Sequence, residues 1–315
     1  MEAKINVEPT ALQGQLPKQG AERLKNKEEA CAASRGSLGN RISGENPLVD
    51  LHMHSTFSDG RYTPTQLVEE AVAKGLKVIA LTDHDSWNGV REAQQAAQGL
   101  GLTVLTGVEL GTQWENDSVH ILGYHVDMTC VPLQEKMDEM RHGRERRLEK
   151  MLAKLDALGY HVEVEACDPK NRAVGRPHVA KALVSKGYFS SVQAVFDALL
   201  HRGGPAYVPQ PKLSPQEAVE LIHLAGGMAV LAHPSELSDS TLPERLLSTV
   251  PFDGIEVYHP SANVEAQQHW LALAQRLGLA VGGGSDFHAI PDRFPLELGV
   301  WQVHYADVED VILWK

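Results

Sequence analysis

The 315-residue chain contains no apolar run approaching the roughly 20 residues that a bilayer-spanning helix requires. Its polar N-terminus also lacks the charged-then-apolar layout of a secretory signal. These absences predict a soluble, cytoplasmic protein. Cysteine is sparse: Cys31, Cys130 and Cys167 form no CxxC pair, which supports neither a thiolate zinc site nor a disulfide framework and suits a reducing compartment. Positive charge is short as well, with 29 Lys and Arg against 41 Asp and Glu and a formal net charge of -12. A broad polyanion-binding surface is therefore not expected, because affinity for long nucleic acid comes largely from cations that neutralise phosphates. Small or short anionic substrates stay open, since bound divalent cations reverse the sign locally. No stable protein partner is evident.

Hydrophobic residues make up 43% of the chain, enough for a large core. Residues 1–46, MEAKINVEPT through RISGEN, are rich in Gln, Lys, Glu, Gly and Ser without sustained periodicity, and read as a disordered extension with room for a short helix around Gln19 to Ala33. From Leu48 onward, short β-branched runs alternate with helical patterns: VDLHMH, KVIALTDH, TVLTGVEL, SVHILGYHV, MAVLAHP, GIEVYH and AVGGGSD. This is the signature of α/β units wound into a largely parallel sheet or a closed or nearly closed barrel, with residues 47–130 and 210–315 supplying its two parts. Thr63-Pro64 with Gln66 reads as a capping box and first-turn proline opening a helix that closes near Gly75. Further helices precede Gly99 and span about Ser214 to Ala225 and Asn263 to Leu277. Between 131 and 209 strand signals vanish, which predicts an inserted helical subdomain or a long helical excursion along the barrel wall.

The chemistry lies where the apolar runs stop. His52 and His54 are two apart, so on a strand both imidazoles leave one face while Val49, Leu51 and Met53 pack on the other. Asp59 follows in an SDG turn. The second run closes on Asp83-His84-Asp85, of which His84 is the candidate ligand and the two aspartates also suit an ordinary loop. Glu109 ends the third run and could bridge two cations through its two oxygens, and His120 interrupts the apolar fourth. His125, on the opposite strand face from His120, is left unassigned. His233, His259 and the pair Asp286 and His288 recur at later strand ends. Functional residues of (β/α) barrels lie at the C-terminal ends of strands, so this recurrence reads as one site although each element alone has a bland reading. A donor set of nitrogen and oxygen without sulfur suits Mn, Fe or Zn. Two or more such ions can activate water and stabilise the attacking and leaving oxygens of a phosphoryl group.

The segments LVDLHMHSTFSDG, ALTDHD, GVEL, HILGY, VLAHP and GSDFH, in that order between Leu48 and Trp301, resemble the ordered motifs of the polymerase-and-histidinol-phosphatase (PHP) domain family. The insertion with Gly175-Arg176-Pro177-His178 narrows the resemblance to PHP phosphoesterases similar to ribonuclease AM and nucleotide bisphosphate phosphatases. The resemblance implies a distorted (β/α)7 PHP barrel with an inserted helical subdomain and, as cofactors, three divalent metal ions, Mn first and Fe or Zn as alternatives. It places His52, His54, Glu109 and Asp286 around one ion, Glu109, His120 and His233 around a second, and Asp59, His84 and His288 around a third. A bridging hydroxide held by Glu109, Asp286 and His233 attacks phosphorus, with His259 in an outer-shell or leaving-group role that competes with simple packing. Arg176, and secondarily His178, would hold the part of the substrate that is not cleaved; the bland reading of this segment is a helix start. The implied activity is hydrolysis of phosphate esters in nucleotides: 3′-phosphate removal from nucleoside 3′,5′-bisphosphates, 5′→3′ trimming of short 5′-phosphorylated RNA, or both. A phosphatase of small metabolites such as histidinol phosphate and a non-catalytic metal-binding module are the alternatives.

Overall fold

The computed structural model describes residues 46–115, 117–164, 175–209, 213–291 and 293–314. The extension at 1–45, including the helix expected around Gln19 to Ala33, lies outside them. Eight strands form one sheet: β1 (Leu48–Asp50), β2 (Val78–Leu81), β3 (Thr103–Trp114), β4 (Asp117–Tyr124), β5 (Met228–Leu231), β6 (Gly254–Tyr258), β7 (Ala280–Gly283) and β8 (Val303–His304). Their order is β7-β6-β5-β4-β3-β2-β1-β8. Neighbours run parallel from β1 to β3 and from β5 to β7, while β4 is antiparallel to both β3 and β5. Bonds from Leu51 N to Gly283 O (3.3 Å) and from His54 N to Phe287 O (2.9 Å) draw the ends of the sheet together into a nearly closed barrel. Seven strands were expected; the eighth is a two-residue antiparallel strand on β1, too short to leave a pattern in sequence.

Alternation sorts the side chains of the strands into two cores. Val49, Leu51, Val78, Ala80, Leu105, Leu122, Tyr124, Met228 and Val230 pack together with Val308, Val311 and Ile312 of the C-terminal segment. Ile79, Leu81, Val108, Leu110, Ile121, Ala229, Leu231, Ile255 and Val257 pack instead with residues of the surrounding helices. The first set fills the barrel interior and the second faces outward. One expectation needs correction here: Met53 does not share the face of Val49 and Leu51 but joins the outer core. The reason is that β1 stops at Asp50, where its carboxylate accepts from His52 N (3.3 Å) and Ser285 N (2.9 Å), so strict alternation ends before the two histidines.

The helices form where their caps dictate. In α1 (Pro64–Ala73) Thr63 and Gln66 make a reciprocal capping box, and in α6 (Pro215–Leu224) Ser214 and Glu217 make another. Between them in chain order come α2 (Val90–Ala96), the 27-residue α3 (Val131–Ala157), α4 (Arg176–Ser185) and α5 (Val192–Val195), which runs into a π-turn at Phe196–Leu200. After them come α7 (Leu242–Thr249), α8 (Val264–Leu277), capped by Asn263, and the short α9 (Glu309–Ile312). From 131 to 209 the described residues contain no strand, and Leu148, Met151, Leu155, Val179, Leu183, Val195 and Leu200 bury one another in a cluster separate from the two barrel cores.

Candidate metal centre

Inward positions that carry aliphatic side chains lower in the barrel carry acids and imidazoles at its upper rim. On β3 the inward register passes from Leu105 through Gly107 to Glu109; on β4 it runs from Tyr124 and Leu122 to His120. The chain leaving β1 brings His52 and His54, the turn after it Asp59, the end of β2 His84, the end of β5 His233, and the loop after β7 Asp286 and His288. His52, His54, Glu109, His233 and His288 are buried, and Asp59, His84, His120 and Asp286 are half-buried. The backbone is turned sharply to achieve this: His233 and Asp286 hold φ of 25° and 52°, a region that costs a non-glycine residue about 1–3 kcal/mol and persists only where surrounding packing enforces it.

Glu109 stands at the middle. Its Oε1 lies 2.9 Å from His120 Nδ1 and 3.1 Å from His233 Nε2, while its Oε2 lies 2.9 Å from His84 Nδ1, 3.2 Å from His54 Nε2 and 3.6 Å from His52 Nε2. Asp286 Oδ1 is 3.2 Å from His54 Nε2 and 3.4 Å from His52 Nε2. Asp59 Oδ1 is 3.1 Å from His288 Nε2. All nine residues singled out in sequence are thus gathered at one rim. Four sets of donor atoms each fall within 4.8 Å: His54, Asp59, His84 and His288; His52, His54 and Asp286; His84, Glu109 and His120; and His52, Glu256 and His259.

The electrostatics follow from crowding carboxylates and imidazoles out of water. Burial opposes ionisation of Glu109, but His84, His120 and His52 outweigh it and hold its carboxyl well below the usual range. Asp286 and Asp59 are likewise pulled down against burial, by His52 and by His84 respectively as their leading neighbours. Burial works against charge on His84 too, yet Glu109 and Asp59 raise it to about 10. His120 and His288 are pushed down, by burial first and by neighbouring imidazoles. The donors are nitrogen and oxygen throughout. Among the described residues, seven buried atoms here have no hydrogen-bond partner: His52 Nε2, His54 Nε2, Asp59 Oδ1, Glu109 Oε2, His233 Nδ1, His259 Nε2 and His288 Nε2. Buried polar atoms are normally matched, so lone pairs left unmatched together in one place fit divalent cations in this rim.

One residue of the centre escaped sequence reading. Glu256, fully buried at an inward position of β6, places Oε1 2.9 Å from His52 Nδ1 and accepts from His233 N through Oε2 (2.8 Å). Its signal was an acid flanked by the outward Ile255 and Val257, which reads as an ordinary polar strand position until the pairing of the strands is known. His259 Nε2 lies 3.8 Å from Asp286 Oδ2, and its Nδ1 contacts the Ser261 hydroxyl (2.7 Å). Asp83 accepts from Ser55 N, Ser55 Oγ and Ser58 Oγ at 2.6–2.8 Å, fixing the turn that carries Asp59. Asp85 pairs with Arg144 of α3 and accepts from Gly111 N (3.1 Å). His125 turns away, its Nε2 on Val311 O (2.8 Å). Arg176 lies at the start of α4 between the rings of Phe196 and Tyr207, 5.7 Å from each centroid, with a bond to Leu200 O. His178 accepts from Gly175 N (3.2 Å). These contacts lie in the helical segment rather than at the rim.

A profile of the PHP domain matches residues 50–205. Over 249 residues the chain is 37% identical to a 3′,5′-nucleoside bisphosphate phosphatase of Chromobacterium violaceum, covering 76% of this chain and 87% of that protein. Over a further 249-residue alignment it is 34% identical to the 5′-3′ exoribonuclease Rnm of Escherichia coli (strain K12), covering 76% and 85%. The solved structure of an amidohydrolase from Chromobacterium violaceum, with bound sulfate and no metal, is similar at a TM-score of 0.67 and 37% identity over 76% of this chain and 87% of that one. By its motifs, its barrel and these relatives, the chain belongs to the PHP-domain family, among its metal-dependent phosphoesterases.

Proposed function

We propose that the protein hydrolyses phosphate esters of nucleotides at the barrel rim, removing the 3′-phosphate of nucleoside 3′,5′-bisphosphates, trimming short 5′-phosphorylated RNA from its 5′ end, or both. The observation that carries this is the collection of seven unmatched buried donor atoms in one nitrogen-and-oxygen cluster. Relatives named for a bisphosphate phosphatase and for an exoribonuclease support the same choice of substrate.

His52, His54, Asp59, His84, Glu109, His120, His233, Asp286 and His288 would hold the ions, three in number, with Mn taken first from the family resemblance and Fe or Zn equally compatible with the nitrogen and oxygen donors. When bound, such ions supply Lewis acidity toward phosphoryl oxygens and a water activated near neutral pH. The chain's own residues do the rest. The carboxylate of Glu109 faces His84 with one oxygen and His120 with the other, so it would offer a ligand atom to each group. Asp286 turns Oδ1 to His52 and His54, with His259 Nε2 3.8 Å from its Oδ2. Glu256 fixes the ring of His52 and the backbone of His233, as carboxylates behind ligating histidines do. No side-chain nucleophile is required. Arg176 and His178, carried by the helical segment 131–209, which we read as an inserted subdomain beside the barrel parts 47–130 and 210–315, are the candidate contacts for the uncleaved part of the substrate.

The test is phosphate release from adenosine 3′,5′-bisphosphate with added Mn, run beside a 5′-monophosphorylated RNA oligomer sampled for mononucleotides. Phosphate release identifies a nucleotide phosphatase, and stepwise mononucleotides identify an exonuclease. Metal-loaded protein that acts on neither substrate refutes the proposal.

A further inference from the structure

The two oxygens of Asp286 face different ways. Oδ1 looks into the cluster, 3.4 Å from His52 Nε2, 3.2 Å from His54 Nε2 and 3.5 Å from His288 Nδ1. Oδ2 looks out, and the guanidinium of Arg293 donates to it from Nη2 at 2.6 Å. Asp286 is 12% exposed and Arg293 is 42% exposed, so the arginine stands on the open side of the centre. Among the described residues it is the one Lys or Arg paired with any of the nine rim residues.

A guanidinium presents five N–H donors in a planar fork, of which the contact with Asp286 engages one nitrogen. The contact ties the guanidinium to the rim, while the side chain as a whole stays 42% exposed to solvent. A cation engaging the inward Oδ1 leaves the Oδ2 contact in place, so Arg293 and a metal ion can occupy opposite sides of one carboxylate. We propose that Arg293 anchors the phosphoryl group that is cleaved, taking its non-bridging oxygens in a charge-assisted pair beside the metal centre. The ligand class is a phosphate monoester or diester. This assignment rests on the phosphoester-hydrolysis reading above and adds to it a contact at the reacting group, distinct from Arg176, which lies among the rings of the helical segment. Guanidinium rather than ammonium suits the task, since only the planar fork meets two oxygens at once.

The test uses the full chain loaded with Mn. Binding of inorganic phosphate is measured by calorimetry for the wild type, Arg293→Ala and Arg293→Lys, and Mn affinity is measured separately by titrating metal-stripped protein. A lost charge-assisted pair predicts about 10–100-fold weaker phosphate binding for Arg293→Ala and an intermediate loss for Arg293→Lys. Because Arg293 also holds Asp286, phosphate is titrated at saturating Mn for each variant, and the loss of phosphate affinity should exceed any loss of Mn affinity. Catalytic efficiency on adenosine 3′,5′-bisphosphate should fall in step with phosphate binding. Wild-type phosphate affinity in Arg293→Ala overturns the proposal, as does a loss matched by an equal loss of Mn affinity, which would make Arg293 a support for Asp286 only. A wild type that binds no phosphate overturns it too. Phosphate binding that depends on Arg293 in a protein that hydrolyses no nucleotide ester would instead uphold the anchor and refute the proposed function.

Discussion

Replacing Glu256 perturbs both folding and metal binding, through the two rim residues it touches, His52 and His233. In the Ala variant the Nδ1–H of His52 and the N–H of His233 lose their acceptors at 2.9 and 2.8 Å inside a fully buried site. Each stranded donor costs about 1–3 kcal/mol, so about 2–6 kcal/mol of stability is at risk before any cavity is counted. Glu256→Gln keeps the shape and one accepting oxygen and turns an amide donor toward the other partner, which places its cost near the lower end of that range. The functional effect is set by the freed ring of His52, since losing the carboxylate behind a ligating histidine weakens metal affinity about 10–100-fold. The assay is Mn titration of stripped protein against a competing chelator, with urea denaturation of the stripped forms recorded alongside. Mn affinity within about twofold of wild type in a folded Glu256→Gln protein would refute the claim that this carboxylate positions His52.

Other outcomes follow from the same geometry. A Cβ on Gly284 would sit 2.3 Å from His52 N and 2.4 Å from His52 Cβ, so Gly284→Ala should destabilise by about 1–3 kcal/mol and weaken Mn binding, read by urea denaturation and titration. Ile312, buried in the barrel interior, should cost about 2–5 kcal/mol when cut to Ala while leaving the Mn affinity of the folded protein unchanged. Saturating Mn at about 100 times its Kd should stabilise the wild type by about 2.7 kcal/mol, and the gain should shrink in His54→Ala; equal gains would remove His54 from the ligand set.

The rim was largely legible because its residues interrupt apolar strands at their ends, a local pattern that needs no knowledge of pairing. The capping box at Thr63 was legible for the same reason: the four residues from Thr63 to Gln66 contain the whole interaction. Glu256 and Arg293 were not. The first becomes significant only when β6 is paired beside β5, bringing it to His52 from 204 positions away, and the second sits in a loop whose path no periodicity encodes. The eighth strand, two residues long, and the end of alternation at Asp50 depend on long-range bonds to Pro47, Ser285 and the C-terminal segment. The division of the nine residues among ions also goes beyond sequence, since His54 and His84 each belong to two of the compact sets of donors.

The most direct test of the account is phosphate release from adenosine 3′,5′-bisphosphate by protein stripped of metal and then given Mn, with Asp286→Ala and His233→Ala measured beside the wild type. The account predicts no turnover by stripped protein, recovery on adding Mn, and activity lower by about 100-fold or more in both folded variants. Turnover by stripped protein equal to that of the reloaded form, or wild-type rates in either variant, would contradict it.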